Sequence, residues 1–243
     1  MLTLSSVLGA ACGCAYFGPH VIKALQIVRL RRLCRETASL VLTYDDGPGN
    51  ELTPNLLQIL GKADARATFF ITNAGVQRAP EVIDQLQAAG HEIGCHSHGH
   101  LHAWRALPWR AVADIHAGYE VLKPWIPPTA PFRPPYGKAT LPTWLTVRHQ
   151  GRRIAWWTVD SGDTWTALPS PEVIIQRVAD DGGGVVLMHD FDRTGADAAQ
   201  RIEHVLAVTC GLLALAQQRG LRVVRYSDLL ASDIQVQEAT RHA

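Results

Sequence analysis

From Ser39 onward, short β-rich runs alternate with segments of helical spacing, and this alternation narrows the possible folds more than any other feature of the chain. Strands are predicted over 39–44, 67–72, 92–96, 132–134, 154–159, 185–189 and 221–226. Between them, Thr53, Pro54 and Gly61 suit the N-cap, first turn and stop of a helix around Leu56, Leu57 and Leu60. Further helices are predicted over 80–89, 109–122, 141–149, 171–179 and 197–218; in the second of these, Val112, Ile115, Tyr119 and Leu122 fall on one face. Stacked βα units of this kind imply an α/β fold, a distorted and incomplete (β/α) barrel of about seven parallel strands. The length of 243 residues, 47% of them hydrophobic, suffices for one such domain at 39–243 with an N-terminal segment at 1–38.

That N-terminal segment differs in character from the rest. Residues 2–22 carry no Asp, Glu, Lys or Arg, approaching the ~20 apolar residues that cross a bilayer, although Gly9, Gly13, Gly18, Pro19 and His20 dilute the run. Lys23, Arg29, Arg31, Arg32 and Arg35 follow, offset only by Glu36. A membrane attachment is expected, with the basic flank holding the domain on the cytoplasmic side and an extracytoplasmic position as the alternative; a strand or helix that caps the domain is the structural explanation of the same run. No basic residue precedes the run, so a cleavable signal peptide is not expected. The formal net charge of +1 lacks the footprint of a nucleic-acid binder, and five cysteines, three of them ahead of Ser39, do not form a disulfide framework.

Each polar cluster falls at or just after the carboxyl end of a predicted strand, where the loops of an α/β barrel assemble a site. Asp45 and Asp46 end the first strand before Gly47-Pro48, so adjacent carboxylates can point in different directions. His96 and His100 are four apart, and one helical turn would put both on one face; with a carboxylate they make a two-His, one-carboxylate metal set. His98 and His102 are expected to be bystanders or supporting groups. Arg133 and Tyr136 lie in a proline-stiffened turn, where a guanidinium can meet a carboxylate. Asp160 and Trp165 belong to a fourth cluster, and Leu187, His189 and Asp190 to a fifth. Taken singly, each has an ordinary structural explanation: an Asp-rich turn, surface histidines, a rigid loop, core tryptophans.

In order, these residues resemble the polysaccharide deacetylase family, also called the NodB-homology or carbohydrate esterase family 4 domain, over roughly residues 39–230. The five motifs are Asp45-Asp46-Gly47, His96 to His100, Arg133 to Gly137, Asp160 to Asp163, and Leu187 to Asp190. The resemblance implies a divalent metal, most often zinc, on Asp46, His96 and His100, with Asp45 as the base for water. Tyr136, through its backbone N–H, would steady the oxyanion, and Arg133 would position Asp45. His189, held by Asp160, would protonate the leaving amine, and Leu187 would line the acetyl pocket. The family often places Trp directly after the second Asp of the fourth motif; here Thr164 intervenes before Trp165, which leaves the substrate wall and the preferred sugar open. The implied activity is removal of N-acetyl from N-acetylhexosamine in a glycan or lipid-linked saccharide. The same site could serve an O-acetyl ester, a formamide or a cyclic amide, and a non-catalytic glycan-binding or membrane-assembly protein is the alternative of another class.

Overall fold

The computed structural model describes residues 4–241, with side chains described over 18–233. Strand β1 (Ser39–Asp45) is buried along its whole length, as expected for a near-continuous apolar run at the centre of a parallel sheet. It pairs in parallel with β2 (Thr68–Ile71) and β5 (Gly184–His189), while β3 (Glu92–Cys95) extends the β2 side and β4 (Val159–Asp160) the β5 side. The last strand, β6 (Arg222–Val223), pairs with the first residues of β1.

Parallel bridges from Cys95 to Phe132 and from Phe132 to Ile154 carry the ring from β3 toward the run that ends in β4. Among the described residues six strands therefore stand where about seven were expected, because the chain at Phe132 supports bridges but no ladder. Pro131, Pro134 and Pro135 surround it and have no N–H to donate.

Helices α2 (Leu52–Lys62), α3 (Asn73–Arg78), α4 (Pro80–Ala88), α5 (Pro108–Leu122), α6 (Leu141–His149), α7 (Pro171–Asp181), α8 (Ala198–Arg219) and α9 (Tyr226–Arg241) complete the fold. Helices α7 and α8 each stop at a left-handed glycine, Gly182 and Gly220. By length and composition α8 could cross a membrane, yet one face of it, with Val205, Val208 and Leu212 fully buried, packs into the common core. Thr53, expected as an N-cap, is a buried residue inside α2; Glu51 holds the cap position.

The N-terminal segment is one long helix, α1 (Leu4–Glu36), with Pro19 inside it. Leu2 and Thr3 of the uncharged run lie outside the described residues. The second half of α1 is part of the barrel wall: Leu30, Leu33 and Cys34 join the core against β1, β5 and α6. Its basic residues other than Arg32 also turn to the domain. Lys23 Nζ donates to Gly137 O (3.0 Å), Arg31 to Thr158 O and Arg35 to Asp181 O, while Arg29 pairs with Asp233 and Arg32 with Glu36. Burial, aided by Lys138 and Arg133, lowers the Lys23 pKa to about 8. Cys34 and Cys95 are buried free thiols and Cys210 an exposed one.

Candidate active site

The two adjacent carboxylates diverge because the chain turns sharply between them. Asp45 closes β1 in extended geometry and is buried, whereas Asp46 takes φ +69°, a left-handed conformation that Asp tolerates better than most residues, and reaches the rim. Gly47 follows with no room for a side chain, since a Cβ there would lie 2.1 Å from Asp190 Oδ1.

His96 and His100 leave β3 not in a helical turn, as expected, but in an irregular loop with Ser97 at φ +68° and His100 at φ +53°. Ser97 Oγ accepts from the His100 N–H, and the loop folds the two rings to 5.0 Å between centroids. Asp46 Oδ1 lies 3.5 Å from His96 Nε2 and 3.2 Å from His100 Nε2, and one ligand atom from each of the three residues lies within 4.8 Å of the others.

The tautomer suits metal binding. His96 Nδ1–H donates to Arg133 O at 2.7 Å, which leaves the Nε2 lone pair aimed at Asp46. Burial lowers the His96 pKa to about 3, so the ring is neutral. His102 Nδ1 accepts from the Trp104 N–H and its ring flanks Tyr136; His98 is anchored through its own N–H to Asp114 O. Neither belongs to the donor set.

Arg133 is fully buried. Its NH1 donates to Asp45 Oδ1 and Thr43 Oγ1, both at 2.8 Å, and its guanidinium lies 4.1 Å from the Phe70 ring centroid. Burial still raises the Asp45 pKa above the usual carboxylate range, against the pull of Arg133. Next to it, Tyr136 has φ +57° and an exposed ring 4.7 Å from that of His100, which places the turn at the mouth of the site.

On the adjacent strand, His189 ends β5 and is the register partner of Asp45, as Leu187 is of Thr43. Alternation along β5 puts Leu187 and His189 on one face. The carboxylate that holds His189 is Asp163, not Asp160. Asp163 Oδ1 is 3.0 Å from His189 Nδ1, and Oδ2 accepts from the His189 N–H (3.0 Å) and from Arg193 NH2 (2.6 Å). Asp160 Oδ1 instead accepts from the Gly162 N–H, so it braces the turn; Gly162, at φ +70°, swings Asp163 inward to the imidazole.

For His189, burial acts to lower the pKa, but Asp163, with help from Asp45 and Asp46, prevails and raises it to about 9. For Asp163, burial acts upward and is outweighed by His189 and Arg193, so its pKa falls.

Arg193 was not singled out in the sequence, and Thr53 and Asp190 were named there without a role in the site. Arg193 braces Asp163, Thr53 donates to Asp190 Oδ2 at 2.7 Å, and Asp190 is a buried carboxyl whose pKa burial raises to about 7. None stands in a periodic position that would single it out. Trp165 sits half exposed on the rim, its carbonyl held by Arg201.

Comparisons with known proteins agree with this geometry. The family model described as polysaccharide deacetylase matches residues 33–155. A peptidoglycan-N-acetylglucosamine deacetylase of Bacillus cereus is 32% identical over 193 residues, covering 79% of this chain and 87% of that protein. A chitooligosaccharide deacetylase of Bradyrhizobium is 32% identical over 196 residues, covering 77% and 88%. The solved structure of the peptidoglycan deacetylase PdaC from Bacillus subtilis aligns with TM-score 0.67 at 25% identity, covering 84% of this chain and 96% of that one.

Proposed function

Because this chain belongs to the polysaccharide deacetylase family, we propose that it is a metal-dependent hydrolase that removes N-acetyl groups from N-acetylhexosamine units of a glycan or lipid-linked saccharide and releases acetate. The observation that carries this reading is the convergence of Asp46, His96 and His100 beside Asp45 and His189, two proton-transfer groups on neighbouring strands. Two imidazoles and one carboxylate with open positions suit Zn2+.

A divalent ion on these three residues would supply Lewis acidity and a lowered water pKa. The remaining chemistry belongs to the protein. Asp45, steadied through Oδ1 by Arg133, keeps Oδ2 facing the site 3.7 Å from His96 Nε2 and takes the proton of the attacking water. The Tyr136 N–H at the mouth donates to the oxyanion that develops on the carbonyl. His189, charged at neutral pH and oriented by Asp163, gives its proton to the departing amine nitrogen. Leu187, on the same inward face, packs against the acetyl methyl, and Trp165 offers a ring to the sugar at the rim.

The test is metal content and acetate release measured together on N-acetylated oligosaccharides and lipid-linked sugars. One divalent ion per chain is expected, and His96→Ala or His100→Ala should abolish both signals. Full activity after chelator stripping would sink the metal mechanism, and metal binding without turnover on any substrate would leave a glycan-binding protein.

The uncharged run at the start of α1 supports membrane attachment, and the basic residues on its carboxyl side support the cytoplasmic face. An extracytoplasmic domain is the competing placement. Digestion by protease added outside intact cells would establish that alternative.

A further inference from the structure

The direction of α1 relative to the barrel constrains where the substrate lies. Thr37 and Ala38 join α1 to β1 in a tight turn, so the two run antiparallel. The amino half of α1 therefore points the same way as the carboxyl end of β1, where Asp45 and Asp46 stand.

Two contacts fix how far the helix has climbed. Lys23 Nζ meets Gly137 O, one residue beyond Tyr136 at the mouth. The His20 ring lies 6.1 Å from Trp104, in the loop that follows His100. At Lys23 the helix has thus reached the rim, and from Ile22 back to Leu4 it continues past it for roughly 28 Å at 1.5 Å per residue. That length approaches the ~30 Å hydrocarbon core of a bilayer, and the stretch carries no Asp, Glu, Lys or Arg. Pro19 can bend the helix but does not reverse it.

The rim on this side carries exposed apolar side chains interleaved with the exposed cations Arg105 and Arg110, a mixture that suits an anionic lipid surface. The connection from β3 to α5 exposes Leu101 and Leu107, and the first turn of α5 exposes Trp109, which is 66% exposed. On α1, Val21 is 59% exposed, and Leu25 and Val28 continue its stripe at helical spacing. Tryptophan and aliphatic side chains beside an uncharged helix are what the water–bilayer interface accommodates.

We propose that the catalytic mouth is turned toward a lipid bilayer and that the substrate is a saccharide carried on a membrane lipid, its N-acetylated sugar held within reach of the headgroup layer. The proposal rests on the deacetylase reading of the site and adds its orientation. A glycan strand away from the membrane would have to pass between the mouth and the lipid surface.

The test uses the full-length, metal-loaded chain in vesicles of phosphatidylcholine and phosphatidylglycerol. Nitroxide labels are placed by Trp109→Cys at the rim and by Asp64→Cys at the opposite end of the barrel, in a Cys12→Ser, Cys14→Ser, Cys210→Ser background. The label at 109 should be accessible to oxygen dissolved in the lipid, and that at 64 to a water-soluble nickel complex. Water exposure of the label at 109 overturns the orientation whether or not the protein turns over.

Acetate release is then compared between N-acetylglucosaminyl polyprenyl diphosphate in the same vesicles and chitotetraose in the bulk. Shared confinement should favour the lipid-borne sugar by about tenfold or more in kcat/KM. The pair Leu107→Ser, Trp109→Ser should reduce that preference without changing turnover of chitotetraose. An equal or reversed preference overturns the substrate class. Loss of all turnover, with metal bound and the label at 109 in lipid, would sink the deacetylase reading and leave the orientation standing.

Discussion

Two buried carboxylates, Asp45 at the end of β1 and Asp163 in the loop after β4, serve the same site, and their surroundings drive them apart. Asp45 receives one charged donor, Arg133 NH1, on one oxygen, and burial keeps its pKa high. Asp163 receives the His189 ring, the His189 backbone, Arg193 and Ser161 Oγ, and its pKa falls. A carboxylate left with one uncommitted oxygen and a raised proton affinity can accept a proton. One saturated by donors stays ionised and holds its neighbour. The same residue type thus serves as base on one strand and as anchor beside the next.

The most severe way to break this contrast is Asp45→Asn, which keeps the shape and removes the proton acceptor. Turnover should fall by about 10²–10⁴-fold with metal content nearly intact, whereas Asp46→Ala should lose both. Metal loss of equal size in the two variants, read by metal analysis, would show the roles to be wrongly divided.

Asp163→Asn attacks the other side. It unlocks the His189 ring and leaves Arg193 buried beside a neutral group, so turnover should drop by about 10²-fold and stability by on the order of 3 kcal/mol in denaturant unfolding. Asp160→Asn should cost far less, since that side chain braces only a turn. The reverse ranking would restore Asp160 as the partner.

The pH profile sharpens the comparison further. The His189 pKa is raised to about 9 from an ordinary 6.5, so the stability its pairing contributes is fully present below about 6.5 and is lost as pH rises through 9. The proton donor disappears over the same upper range. Turnover should show a basic limb that falls about tenfold per pH unit, and a bound divalent cation, adding positive charge nearby, moves that limb below 9. A chromogenic ester with a good leaving group should lack it. The mildest change is Trp165→Ala: removing a half-exposed ring from the rim should raise KM a few-fold, worth about 1 kcal/mol, and leave kcat unchanged.

The residues that legibly announced the site were those attached to strand ends. Asp45, Asp46, His96 and His189 each close a β-rich run, and the parallel register that makes Asp45 and His189 neighbours follows from the alternation of strand and helix. The exchange of Asp160 for Asp163 shows where such reading stops. Both acids stand in one short loop, and a single left-handed glycine between them decides which reaches the imidazole. Backbone dihedrals of that kind leave no periodic trace. The convergence of His96 and His100 was read correctly from their spacing but for the wrong reason, because two left-handed residues rather than a helical turn bring them together. The path of α1 was harder still: nothing in the order of its residues says that Leu30 and Leu33 will meet strands made much later in the chain.

That last separation governs the order of assembly during synthesis. Leu30, Leu33 and Cys34 leave the ribosome ahead of every strand, while the surfaces that bury them, on α6 and β5, are not complete until His149 and His189 have been added. At 5–20 residues per second the delay is roughly 8–30 s, long compared with helix formation. For that interval α1, made before every strand described, has no finished surface to rest on. The helix made before the strands it covers is thereby packed only when the late strands complete its seat.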